Sequence, residues 1–169
     1  RVLRSTIYAL VVVAAVAVLL ATLFLPVLQV SGDSMNPTLE DRDILLLVKS
    51  DSMKTGDLCG FYWQNKLLLK RVIGLPGDTV SIKNGYVYIN GEKLEESYLP
   101  RQGVTAAGNQ EEYVVPEGCL FFLGDNRTNS QDARLWDNPY IPVDKVRSHV
   151  LVCISFLKEN SWRGIRVVS

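Results

Sequence analysis

The sequence predicts a mainly β protein: a coiled body of antiparallel β-sheets behind one amino-terminal transmembrane helix. Three observations carry this. Residues 7–28 hold no charge and are mostly Val, Ala and Leu. Beyond them, short apolar runs are punctuated by turn-forming pairs, Asn84-Gly85 and Asn90-Gly91 among them. No segment after Leu28 carries a helical apolar stripe of any length.

The uncharged run comes first. As a helix it is ~33 Å long, against a hydrocarbon core of ~30 Å. Arg1 and Arg4 precede it, and Asp33, Glu40 and Asp41 follow it. The excess of basic residues stays on the cytoplasmic side. The expected arrangement is therefore a cytoplasmic end at 1–6, an anchor at 7–28 in the cell membrane and an extracytoplasmic domain at 29–169. A cleaved leader has a shorter apolar core, roughly 7–15 residues, and a small-residue cut site. Leu28-Gln29-Val30 offers no such site, so the helix is expected to be retained. The chain opens on Arg1 rather than Met, and further amino-terminal residues are expected.

The strands follow in order. Asp43–Lys49 reads as a strand buried on both faces. Leu58–Trp63 and Leu67–Ile73 flank Gln64-Asn65-Lys66 as a hairpin, and Leu75–Asp78 is turn chemistry. Thr79–Gly91 alternates around its two Asn-Gly turns. Residues 92–112 are polar and irregular and read as a surface insertion. Cys119–Asn126 is a buried strand entering a loop, and Ser148–Leu157 reads as the last strand.

Eighteen basic and eighteen acidic residues balance, so no field points to nucleic acid. Cys59, Cys119 and Cys153 lie in apolar segments with no C-x-x-C pair. They read as buried small hydrophobes, with a Cys59–Cys119 bridge left open. His149 is the single histidine, so no Cys/His set is available for a metal, and no cofactor is expected. The aromatics Phe61, Tyr62, Trp63, Trp136, Tyr140 and Trp162 read as core, with some available to rest on a membrane.

Three stretches carry chemistry. Ser34 sits in "VSGDSMNPTL", a glycine- and proline-controlled turn just past the apolar run. A serine needs a base to become a nucleophile. His149, at the entrance of an apolar strand, reads as a packed or surface histidine. Lys70, in "KLLLKRVIG", is the better candidate. Burial disfavours the ammonium and lowers the pKa from ~10.4. The alternative is an edge-strand lysine that guards against aggregation. Alternation puts Arg71 on the opposite face. The third stretch, "FLGDNRTNSQDAR", crowds Asp125, Asn126, Arg127, Ser130, Asp132 and Arg134 into one loop. A hydroxyl such as that of Ser130 can aim a lysine without reprotonating it, whereas a carboxylate in contact would raise its pKa. Asp125, Asp132, Arg71, Arg127 and Arg134 are accordingly expected to pair among themselves.

"SGDSMNPTL", "KRVIGLPGD" and "GDNRTNSQDAR", in that order behind an anchor, resemble the signature boxes of type I signal peptidases, membrane-bound Ser-Lys proteases that cut leaders from exported preproteins. The resemblance covers essentially the whole chain and is closest to compact single-anchor bacterial forms. It implies Ser34 as nucleophile, Lys70 as general base and Ser130 as the serine that hydrogen-bonds the lysine. It implies the Ser34 N–H as one oxyanion donor. At Gly32, where some members carry a hydroxyl, only a backbone N–H or a water is left to serve. Met35 is implied beneath the nucleophile, and Asp125, Arg71, Asp132 and Arg134 as an ionic scaffold. Ala133 stands where the family usually has Ser. The implied substrates are preprotein signal peptides, bound as an extended strand near the lipid bilayer and cut after Ala-x-Ala. Met35, Ile44 and Leu69 are candidates for lining the pockets. Two alternatives stand beside this: a Ser-Lys maturation peptidase for one substrate, and a non-enzymatic tethered β domain that binds exported proteins.

Overall fold

A computed structural model describes residues 2–24, 27–48, 52–156 and 162–167. Lys49 and Leu157, the expected strand ends, lie outside the described residues, as do the side chains of His149 and Trp162. Helix α1 runs Val2–Phe24. Its side chains are described from Arg4 to Leu19, and every one is exposed although most are apolar. Among the described residues no helix is long and apolar enough to cross a membrane.

The apolar run also ends differently from the expectation over 7–28. Val27–Gln29 is a short strand, β1, antiparallel to β2 (Ile44–Val48), with Val27 opposite Leu46. An apolar run alone does not say where helix gives way to strand; here the pairing with β2 decides it.

The rest is β. Strands β3 (Leu58–Trp63), β4 (Lys66–Gly74), β9 (Cys119–Leu123), β10 (Tyr140–Pro142), β11 (Val146–Phe156) and β12 (Trp162–Val167) join β1 and β2 in a sheet ordered β1-β2-β11-β3-β4-β9-β10, with β12 on β11. β11 is thus followed by a further strand, contrary to the reading of Ser148–Leu157 as the last. A second sheet, β7-β6-β5-β8, is built from β5 (Thr79–Lys83), β6 (Tyr86–Ile89), β7 (Glu92–Lys93) and β8 (Glu112–Val114).

The hairpins follow from their turn residues. Gln64 and Asn65 take φ of 47° and 61°, and Asn84-Gly85 and Asn90-Gly91 are likewise at positive φ. This is the two-residue geometry whose twist matches the flanking strands. The two sheets meet over Ile73, Val80, Val87, Tyr113 and Phe121. Gly74 allows that approach, because a Cβ there would lie 2.7 Å from Val80 Cγ2 and 2.9 Å from Val115 Cγ2. Ala133 is fully buried in the same cluster, its methyl among apolar side chains where a hydroxyl would need a partner.

Residues 92–112 are not simply a surface insertion. Many are exposed, but Glu96, Leu99 and Thr105 are buried. Thr105 N–H donates to Gly85 O at 3.0 Å, which fastens the segment to the β5–β6 turn.

Candidate active site

Three pieces of chain converge. The first is the loop after β1. The Val30 and Arg42 backbones close it, through Val30 N–H to Asp43 O at 2.8 Å and Arg42 N–H to Val30 O at 2.9 Å. Met35 and Leu39 are buried in a cluster with Leu45, Leu47, Leu58 and Val150. They seat the loop while Ser34 stays half-buried between them and solvent. Among the described residues, none accepts the Ser34 N–H.

The second piece is the loop that leaves β9. Gly124 N–H donates to Asp132 Oδ2 at 3.0 Å, and Arg134 holds both oxygens of Asp132 at 2.8 Å. This loop docks on the first. Asn126 N–H donates to Ser34 O at 3.0 Å, and Asn126 Nδ2 donates to Asp33 O at 3.0 Å. Asn129 Nδ2 donates to Asp33 Oδ2 at 3.0 Å, and Thr38 Oγ1 donates to Asp125 Oδ2 at 2.5 Å. Gly124 is pinched between the two loops. A Cβ there would meet Ser130 Oγ at 2.0 Å and Ser34 O at 2.6 Å, so only glycine fits.

The third piece is β4, which buries Lys70 and Arg71 side by side. Strand alternation sends them to opposite faces. Arg71 grips Asp125 with both arms, Nε to Oδ1 at 2.9 Å and Nη2 to Oδ2 at 2.6 Å, and its Nη1 donates to Gly56 O at 2.6 Å. A bidentate pair of this kind is among the stronger charge-assisted contacts.

Lys70 is treated differently. Among the described residues no carboxylate forms an ion pair with it. Burial lowers its pKa from 10.5 to about 8 against the upward pull of Asp132, Asp125 and Asp33, with Arg134 assisting the fall. Desolvation wins because the nearby carboxylates are each already held by an arginine or an amide. The pull of Asp33 also ties the amine electrostatically to the Ser34 loop.

The geometry departs from the sequence expectations at several points. Ser130 Oγ is buried but makes no hydrogen bond to any described residue, so the expected bond to Lys70 is not formed. The close approach of Gly124 sets where that hydroxyl stands. Gly32 N–H, considered as an oxyanion donor, is given to Asp41 Oδ1 at 2.9 Å; the loop folds back on itself and uses it. Arg127 pairs with neither Asp125 nor Asp132. It takes Glu96, at 2.6 Å, from the segment read as a surface insertion. Nothing local in sequence marks Glu96, which lies 31 residues from Arg127.

Met35 is fully buried, Leu69 packs against the same cluster, and Ile44 is half-buried on β2. No disulfide joins Cys59, Cys119 or Cys153. Burial, with Asp57 adding to it, pushes the Cys59 thiol up to about 12, so it is inert near neutrality. Among the described residues, no three His, Cys, Asp or Glu side chains are grouped to hold a metal ion.

Residues 3–155 match the family model described as signal peptidase, peptidase S26. A signal peptidase I of Bacillus amyloliquefaciens is 38% identical, with 75% of this chain and 74% of that protein covered. A signal peptidase I of Bacillus licheniformis is 41% identical, with 73% and 74% covered. A crystal structure of a signal peptidase I from Enterococcus faecalis V583 aligns at 30% identity over 59% of this chain and 97% of that one, with a TM-score of 0.49. The protein therefore belongs to the signal peptidase family, peptidase S26, and is a serine peptidase.

Proposed function

We propose that this peptidase removes signal peptides from exported preproteins, with Ser34 as nucleophile and Lys70 as general base, from a membrane-anchored position. The observation that carries the reading is the buried amine of Lys70, with no ion-pair partner among the described residues, whose pKa of about 8 leaves a usable neutral fraction near physiological pH. Arg71, Arg127 and Arg134 are buried with carboxylate partners, whereas among the described residues no carboxylate forms an ion pair with Lys70.

Ser34 Oγ attacks the scissile carbonyl carbon as neutral Lys70 accepts its proton. The Ser34 N–H, which no described residue accepts, stabilises the oxyanion. The Lys70 ammonium returns the proton to the leaving amine. The Lys70 amine, neutral again, takes a proton from water as the water oxygen attacks the acyl ester, then delivers it to Ser34 Oγ as the ester C–O bond breaks and the acid product leaves. Ser130 Oγ, buried and without a hydrogen-bond partner among the described residues, is the hydroxyl we assign to aim the amine. Such bonds tighten when substrate arrives. Among the described residues β1 is a sheet edge paired with β2 alone, and it leads directly into the Ser34 loop. An extended peptide adding to that edge would gain main-chain hydrogen bonds. The exposed apolar side chains of α1 support the anchor, since an isolated helix of that character has no favourable place in water. Tethering would raise the effective concentration of membrane-held substrate.

The test is cleavage of an Ala-x-Ala leader peptide by the full chain in detergent micelles, with the products weighed by mass spectrometry. Ser34→Ala and Lys70→Ala should each lower kcat about 10⁴-fold or more. His149→Ala should leave it unchanged. The acid limb of kcat should have its midpoint near 8, falling tenfold per pH unit below it. Cleavage by either dyad variant within about tenfold of the parent rejects the reading.

A further inference from the structure

We infer that Glu96 is a positioning residue for the reaction, acting through Arg127 and the Gly124 carbonyl on the placement of Ser130 and Ser34. The inference rests on the proposed Ser34–Lys70 dyad.

The chain of contacts is continuous. Glu96 and Arg127 are both almost wholly buried, and Arg127 Nη2 donates to Glu96 Oε1 at 2.6 Å. Gln102 Nε2 fixes the Glu96 backbone by donating to its carbonyl at 2.6 Å. Tyr98 Oη donates to Glu96 Oε1 at 2.8 Å, and Thr105 Oγ1 accepts from Arg127 Nη1 at 3.0 Å. Arg127 Nε then donates to Gly124 O at 3.0 Å. The Gly124 peptide is thus gripped from both ends, its N–H by Asp132 and its carbonyl by Arg127. Gly124 is the residue packed without clearance against both the Ser130 side chain and the Ser34 carbonyl.

Glu96 also settles a competition. Burial works against the Arg127 charge, and the hydrogen bond and charge of Glu96, the largest favourable contributions, together with Tyr98 and Asp125 outweigh it. The next carboxylate that Arg127 feels is Asp125, which already holds Arg71 in two hydrogen bonds. The Tyr98 ring neighbours both guanidiniums, with its centroid 3.8 Å from that of Arg71 and 6.0 Å from that of Arg127. Without Glu96 a buried guanidinium has lost its counter-charge, and it turns toward Asp125. That move releases Gly124 O and disturbs one of the charges Lys70 senses. Those charges are Asp132, Asp125, Arg134 and Asp33. The segment 92–112 is therefore a brace for the site, not an appendage.

The experiment compares Glu96→Gln with the parent full chain in micelles on the same leader peptide, reading kcat, KM, the acid-limb midpoint and the melting temperature. Expected is a fall in kcat of about 10- to 100-fold with KM held within about twofold. The acid-limb midpoint should move to lower pH, because an uncompensated cation nearby disfavours the Lys70 ammonium. Tyr98→Phe removes one hydroxyl and leaves the ion pair; it should lower kcat about threefold in the same pattern. If Glu96→Gln folds and only its melting temperature changes, with kcat and midpoint as in the parent, the inference is overturned. If Glu96→Gln does not fold, Tyr98→Phe decides in the same terms. Ser34→Ala and Lys70→Ala run alongside: activity retained there condemns the dyad, whereas a fault confined to the Glu96 and Tyr98 variants condemns only the brace.

Discussion

Helix α1 and the region around Lys70 break the usual distribution of residues in opposite senses. The helix exposes Leu10, Val11, Val12, Val13, Val18 and Leu19, side chains that water normally drives inward. The site buries Lys70, Arg71, Asp125, Arg127, Asp132 and Arg134, side chains that water normally keeps outside. In the proposed membrane-anchored reading the first departure answers to a different solvent, a lipid phase that would remove the penalty on the helix; the second answers to chemistry. In the site, paired arginines and carboxylates offset one another, and the lysine left over takes the remaining desolvation penalty as a lowered pKa.

The comparison can be broken at the helix first. Val12→Arg with Val16→Arg puts two charges on α1 four residues apart. If the helix sits in lipid, each charge costs roughly 2.5–3.5 kcal/mol, and the protein should shift from the membrane to the soluble fraction of expressing cells. In water the pair would change little, and an unaltered fractionation would place the helix outside the bilayer. The site comes next. Asp125→Ala leaves Arg71 buried without its counter-charge, which should destabilise the fold by about 3–5 kcal/mol in denaturant titration. A loss below about 1 kcal/mol would mean water reaches Arg71 and the site is less dry than its burial implies.

The smallest effect is the most diagnostic. The folded-state pKa of Lys70, about 8, lies below its ordinary value of 10.5. Between those values the unfolded chain holds the proton more tightly, so folding stability rises with pH across the window, and the full penalty is present below it. Lys70→Met removes the penalty. It should stabilise the inactive protein on the order of 1–3 kcal/mol at pH 7, with the gain fading toward pH 10.5. Equal stability at pH 7 would show that the amine is not desolvated.

Much of this was legible in residue order. The turn pairs Gln64-Asn65, Asn84-Gly85 and Asn90-Gly91 dictate their hairpins because positive φ at two successive residues suits the twist of the flanking strands. Ser34, Lys70 and the loop from Asp125 to Arg134 announced themselves by residue type in an apolar setting. Other features were silent. β1 hides in an uninterrupted apolar run whose last residues become strand only through pairing with Leu45 and Leu46. Gly32 gives its N–H to Asp41, nine positions on, and no pattern encodes such a bond.

By itself, then, the sequence determined which side chains the protein has available for acyl transfer and where its backbone must turn, since these follow from local sterics and chemical type. Tertiary structure alone decided which carboxylate neutralises which arginine, and so that Lys70 has no ion pair among the described residues. Asp125, Asp132 and Glu96 are interchangeable in charge and differ only in position. A buried ion pair is chosen by distances of a few tenths of an ångström, and those are set when β4, the two loops and the 92–112 segment pack together.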